Sequence, residues 1–243
     1  MTNYTINDYK IQQLYSKYQN KYTLNLPKIK YIKYVNSNDF WARFNTNDLY
    51  NKEYILYICK DLLNKNNPFI RQILFHEFTH LSDSLQFTGK SLEEFKNIMV
   101  SYSEFHASKR EMRERLEEIN TNDISLQTII THADSITIDS FMEQTFGFMI
   151  DDLNKMSSNS NANNLFYNAR HVYYFFGISN ALKEFGIEYD FKLYKIPPCF
   201  FLAVKQIYED FSSNIINIED VLRSYIKLND DVKFQFLMNR MKH

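Results

Sequence analysis

The sequence predicts a predominantly helical α+β protein, and three observations carry that prediction. Glycine and proline number only four each in 243 residues, too few for a turn-rich β fold. Three short runs rich in β-branched and aromatic residues are crowded between Ile29 and Cys59, with turn residues between them, so they read as a small sheet. Most of the remaining patterned sequence repeats with the period of a helix packed along one face.

Taken in order, Ile6, Tyr9, Ile11, Leu14, Tyr15 and Tyr18 recur at helical spacing, with Asn7 or Asp8 as the cap and Pro27 as the end of that region. Ile29–Val35, Phe40–Phe44 and Tyr54–Cys59 read as strands, with 36–39 and 45–48 as turns. Connections this short favour hairpins, so the small sheet is expected to be antiparallel. Asn67 and Pro68 read as the cap and first position of the next helix, whose core stripe is Ile70, Leu74, Phe78, Leu81 and Leu85 and which Gly89 closes. Ser91-Leu92-Glu93-Glu94 is a capping box. It opens a long helix expected to reach about Ile119. The charged run Lys109–Arg115 on that helix reads as a solvated face with i,i+4 pairs.

Beyond a break at 120–123, residues 124–155 read as mostly helical, with Gly147 inside, and Ser157–Asn164 as a low-complexity, mobile loop. A helix is expected from about Leu165 to Phe185, then a break at Pro197-Pro198, then two or three helices. The resulting expectation is a core over residues 1–120, in which the sheet packs on the helix at 68–86 and on the one after it. An all-helical C-terminal extension over 121–243 packs on that core.

Composition removes several functions. A formal net charge of −1 argues against nucleic acid or an acidic membrane as the partner, while 21 Phe and 18 Tyr supply ample core material. Cys59 and Cys199 lie far apart without CxxC spacing and read as two reduced thiols. The N-terminal residues have no signal-peptide pattern, and no run reaches the roughly 18–20 apolar residues of a membrane span. A cytoplasmic protein is expected.

The chemistry is concentrated in Phe75-His76-Glu77-Phe78-Thr79-His80-Leu81. On a helix, histidines four apart present both imidazoles on one face, where they can grip one metal ion. Glu77, beside them, is placed as a base toward a metal-activated water rather than as a ligand. A third ligand is needed. An extended HExxHxxGxxH pattern would need Gly at 83 and His at 86, but Asp83 and Gln86 stand there. Glu104 is the best candidate. It lies mid-way along the next helix, among apolar and small residues, and two antiparallel helices joined by a short turn would bring it back opposite the histidines. A carboxylate there needs a partner. Asp134, Asp139 and Glu143 are the alternatives, with Glu104 then an ordinary surface residue.

His76-Glu77-x-x-His80 followed by Glu104-x-x-Ala107 resembles the gluzincin metallopeptidases. More narrowly it resembles the ImmA/IrrE-type proteases found beside phage and mobile-element regulators. That group is built from an N-terminal helix, a small sheet, the HExxH helix and a Glu-bearing helix, the order read here over 6–119. The likeness rests on residues 70–112 and, before them, on element order alone. It implies zinc on His76, His80 and Glu104, with Glu77 as the base. Two departures stand out: Thr79 where many relatives carry Gly, and Ser108 where thermolysin-like enzymes place an Asp that orients a His. Asp83 is a candidate for orienting His80 instead.

These readings lead to a zinc-dependent endopeptidase acting on a protein or peptide, with a specific cytosolic regulator, such as a transcriptional regulator, as the expected substrate. The sheet's exposed edge is expected to hold an extended peptide by strand addition. His171 is the candidate oxyanion donor, in competition with His132, His106 and the tyrosines; its ordinary reading is a core histidine on an aromatic helix. The alternative function is a non-proteolytic interaction protein in which zinc is structural or absent. Glu77 favours the enzyme, because a structural zinc site has no use for a base.

Overall fold

The computed structural model describes residues 6–64, 67–119, 123–131, 135–158, 170–190 and 192–211, with isolated positions between 221 and 238. The protein is α+β and predominantly helical, as expected. It divides into two compact units, Met1–Met99 and Val100–His243. Among the described residues, no helix is long and apolar enough to cross a membrane.

The first unit contains α1 (Ile6–Tyr22), β1 (Tyr31–Val35), β2 (Ala42–Phe44), α2 (Thr46–Tyr50), β3 (Ile55–Cys59), α3 (Lys60–Asn64), α4 (Ile70–Gln86) and α5 (Leu92–Ile98). Its sheet is mixed, which corrects the antiparallel expectation. The strand order is β1-β3-β2, with β1 parallel to β3 and β2 antiparallel to it. The reason lies in the segment after β1. Instead of folding back as a hairpin, it passes over the end of β3, where the Cys59 thiol donates to the Ser37 carbonyl at 3.2 Å and the Cys59 amide to the Trp41 carbonyl at 2.7 Å. β2 therefore descends on the far side of β3. The expected turn at 45–48 instead opens α2, where the Asn45 amide bonds the Asp48 carboxylate at 3.1 Å.

Strand β3 is central and mostly buried, β1 is half exposed, and Ala42 and Phe44 of β2 are buried. Of the two edge strands, β1 is the more exposed. The core gathers Ile11, Tyr15 and Tyr18 of α1, Leu56 and Ile58 of β3, and Leu74, Phe75, Phe78 and Leu81 of α4. Aromatic edges join α1 to α4: Tyr15 meets Phe78 at 4.9 Å between ring centroids, and Tyr18 meets Phe75 at 5.1 Å. Both cysteines are free thiols.

The Ser91 capping box forms as expected: Ser91 Oγ accepts from the Glu94 amide, and the Glu94 carboxylate accepts from the Ser91 amide. From Leu92 to Glu117 the chain is one unbroken helical run, but Met99–Ser103 winds as a π-helix between α5 and α6 (Glu104–Glu117). The division into units falls inside this run.

In the second unit, β4 (Ile129–Thr131) and β5 (Ile136–Thr137) pair antiparallel, followed by α7 (Ile138–Ser158), α8 (Arg170–Glu184) and α9 (Phe201–Phe211). The extension is therefore not all-helical. The short ribbon escapes helical periodicity because each strand is only two or three residues long. The low-complexity residues 159–164 and the start of the helix expected at 165 lie outside the described residues.

Helix α6 corrects the solvated-face reading of 109–115. Glu111 and Glu114 are buried. Arg115 reaches Glu111 at 2.6 Å, one turn away, and Lys109 reaches Glu184 of α8 at 2.6 Å. The i,i+4 pairing is present, but α8 covers much of that face. Contact between the two helices is close because Gly177 of α8 has no side chain. A Cβ there would lie 2.0 Å from Ser108 Oγ and 2.3 Å from the Phe105 carbonyl oxygen. The Gly177→Ala protein is expected to lose about 3 kcal/mol of stability, as overpacked cores do, measured by urea unfolding. A loss within experimental error would show that α6 and α8 separate freely.

Candidate metal centre

Helix α4 begins at Ile70, two residues later than the Asn67-Pro68 reading, because Asn67 Oδ1 first accepts from the Phe69 amide at 2.8 Å in a tight turn. Its burial is far broader than a single stripe. Leu74 to Thr79 and Leu81 to Ser84 are all withdrawn from water. Polar groups placed there need partners. Thr79 Oγ1 donates to the Phe75 carbonyl at 2.8 Å and lies 3.0 Å from the Tyr18 hydroxyl, and Ser84 donates to the Leu81 carbonyl at 2.7 Å. Thr79 is thus the bolt between α1 and α4.

His76 keeps 9% of its surface, Glu77 7% and Glu104 6%, while His80 is half buried. The two imidazole Nε2 atoms are 3.1 Å apart. Without a cation that distance suits one N–H···N bond. It is also close to the roughly 3.3 Å that separates two nitrogens bound tetrahedrally to one zinc at about 2.05 Å. Glu104 stands at the first position after the π-helical turn, a feature frequent at functional sites. Ligand atoms of His76, His80 and Glu104 all lie within 4.8 Å of one another. Two borderline-soft nitrogens and one carboxylate oxygen make the donor set of a catalytic zinc site, so the residues present fit the ion that the sequence implies.

Glu77 is held separately. Its Oε2 accepts a hydrogen bond from the backbone amide of Phe44 in β2, at 2.9 Å. No sequence pattern signals that bond, because a backbone donor has no residue type.

The remaining candidates fall elsewhere. His171 lies on α8 and its Nδ1 is bonded to the Asp152 carboxylate of α7, with Phe148 beside the ring. Glu143 is engaged by Tyr189 and Lys192, Asp139 lies in the first turn of α7, and His106 stacks on Tyr102 at 5.7 Å. Asp83 is fully buried within α4. His132 and Asp134 lie outside the described residues. Tyr174 of α8 was not singled out by its sequence context. Its phenol is pushed far above the ordinary tyrosine range by burial first, then by the charge of Glu111, with Glu104 a further contributor.

Ser108 also gains an explanation. Its hydroxyl donates back to the Glu104 carbonyl at 2.7 Å, and the Gly177 backbone closes over it. An aspartate would have no room at that position.

Comparison with protein-family models, with curated proteins and with solved structures found no match.

Replacing Thr79 by Val removes the hydroxyl that meets Tyr18 and keeps the shape. A loss of about 1–2 kcal/mol in urea unfolding is expected, the cost of leaving a buried partner unsatisfied. An unchanged midpoint would show that the aromatic contacts alone hold α1 to α4.

Proposed function

We propose that this protein is a zinc-dependent endopeptidase. The observation that carries the proposal is the gathering of His76, His80 and Glu104 ligand atoms within 4.8 Å of one another, with a buried carboxylate at the next residue, Glu77. The sequence resemblance to ImmA/IrrE-type gluzincins points the same way. The proposed substrate is a protein or peptide of the cytoplasm, a specific regulatory protein among the candidates.

Zinc held by the three ligands would supply a Lewis acid that brings the pKa of water down to about 7. The chain's own residues would do the rest. Glu77 takes the proton from the attacking water and passes it to the leaving amine. Burial of Glu77 and Glu104 lowers the local dielectric and strengthens each charge interaction. His171 is committed to Asp152, so the neutral donor toward developing negative charge is to be sought among the other polar side chains.

Purified protein is expected to carry one equivalent of zinc, measured by elemental analysis. His76→Ala and Glu104→Ala should each lower that affinity by at least about tenfold. Glu77→Gln should keep the metal and lose cleavage of a quenched peptide library by about 100-fold or more, the scale of a lost general base. Wild-type protein that takes up no zinc would sink the proposal. Full zinc with no difference between wild type and Glu77→Gln would turn the reading toward a non-proteolytic interaction protein.

A further inference from the structure

The bond between Phe44 and Glu77 is more than a packing detail, and the pairing of β2 shows why. The residues of β2 face those of β3 as Ala42 with Ile58, Arg43 with Tyr57 and Phe44 with Leu56, and the Cys59 amide bonds the Trp41 carbonyl at 2.7 Å. In an antiparallel ladder, backbone groups point alternately toward and away from the partner strand. Trp41 and Arg43 therefore direct their N–H and C=O groups at β3, and those of Ala42 and Phe44 point off the edge of the sheet. The Phe44 amide is thus surplus to the ladder. It is also buried, with Phe44 only 6% exposed, so it needs an acceptor within the protein. Glu77 Oε2, at 2.9 Å, is that acceptor.

A glutamate side chain has three torsions and, left alone, samples many orientations. A charge-assisted bond to one oxygen narrows that range. The donor here belongs to a strand whose phenyl group is anchored in the core and whose neighbours are locked in register with β3. The carboxylate is thereby referenced to the sheet, while the histidines are referenced to α4.

We propose that the Phe44 backbone amide is a positioning group for Glu77, holding its carboxylate through Oε2 for proton transfer. This rests on the peptidase reading for its consequence in catalysis, but the positioning itself is measurable without turnover.

Two experiments test it. In metal-free protein, hydrogen exchange of the Phe44 amide is compared between Glu77→Gln, which keeps an acceptor oxygen, and Glu77→Ala, which does not. Exchange about tenfold or more faster in the alanine variant is expected; equal rates overturn the proposal. In zinc-loaded protein, Phe44 is replaced by phenyllactic acid, so that an ester removes the N–H and keeps the side chain. Zinc affinity should stay within about twofold and KM should hold, while kcat on a quenched peptide falls about tenfold or more. An unchanged kcat overturns the proposal, and so does a loss of zinc equal to the loss of activity. Should the wild type cleave nothing, the peptidase reading fails by itself and the exchange comparison alone decides the positioning.

Discussion

The burial of α4 sets the terms for the first unit. A helix that sends Gln72, His76, Glu77, Thr79, Ser82, Asp83 and Ser84 out of water incurs a desolvation cost at each polar group unless its surroundings answer it. The surroundings do answer where the bonds can be traced. Tyr18 meets Thr79, Phe44 meets Glu77, and the helix's own carbonyls take the hydroxyls of Thr79 and Ser84. The aromatic excess of the sequence finds its use here. Tyrosine in α1 supplies apolar area against Phe75 and Phe78 and also a hydroxyl at the end of the ring, so one residue type both packs the helix and satisfies it.

The same economy of burial governs the helix that bears Glu104. Its acidic residues are not merely solvated. Glu111 and Glu114 are withdrawn from water, and Arg115 and Lys109 reach carboxylates on their own helix and on α8. Ion pairs of this kind add little net stability, but the Lys109–Glu184 pair ties α6 to α8. Gly177 contributes to the same end, since it lets two backbones approach until Ser108 has no freedom left.

The predominantly helical α+β class and the reciprocal cap of Ser91 and Glu94 were legible in the sequence. His76, Glu77 and His80 stand out as candidates by their spacing, and Glu104 as the carboxylate that a helical hairpin would bring back. The strand directions were not legible, because a short connection that passes over a strand end has the same composition as a hairpin turn. The ribbon at 129–137 was too short to show a period. Phe44 escaped because its contribution is a backbone amide.

The π-helical turn at Met99–Ser103 has a consequence for how such a site is inherited. Winding one extra residue into a turn shifts the phase of everything after it. Substitutions that rewound this turn as regular α-helix, with no residue removed, would rotate each later side chain by about 100°, carrying Glu104 off its heading while every candidate ligand stayed in the sequence. The candidate centre is therefore encoded twice, once in the identities of three residues and once in the winding of the turn that precedes the third. A sequence can keep the first code intact and lose the second.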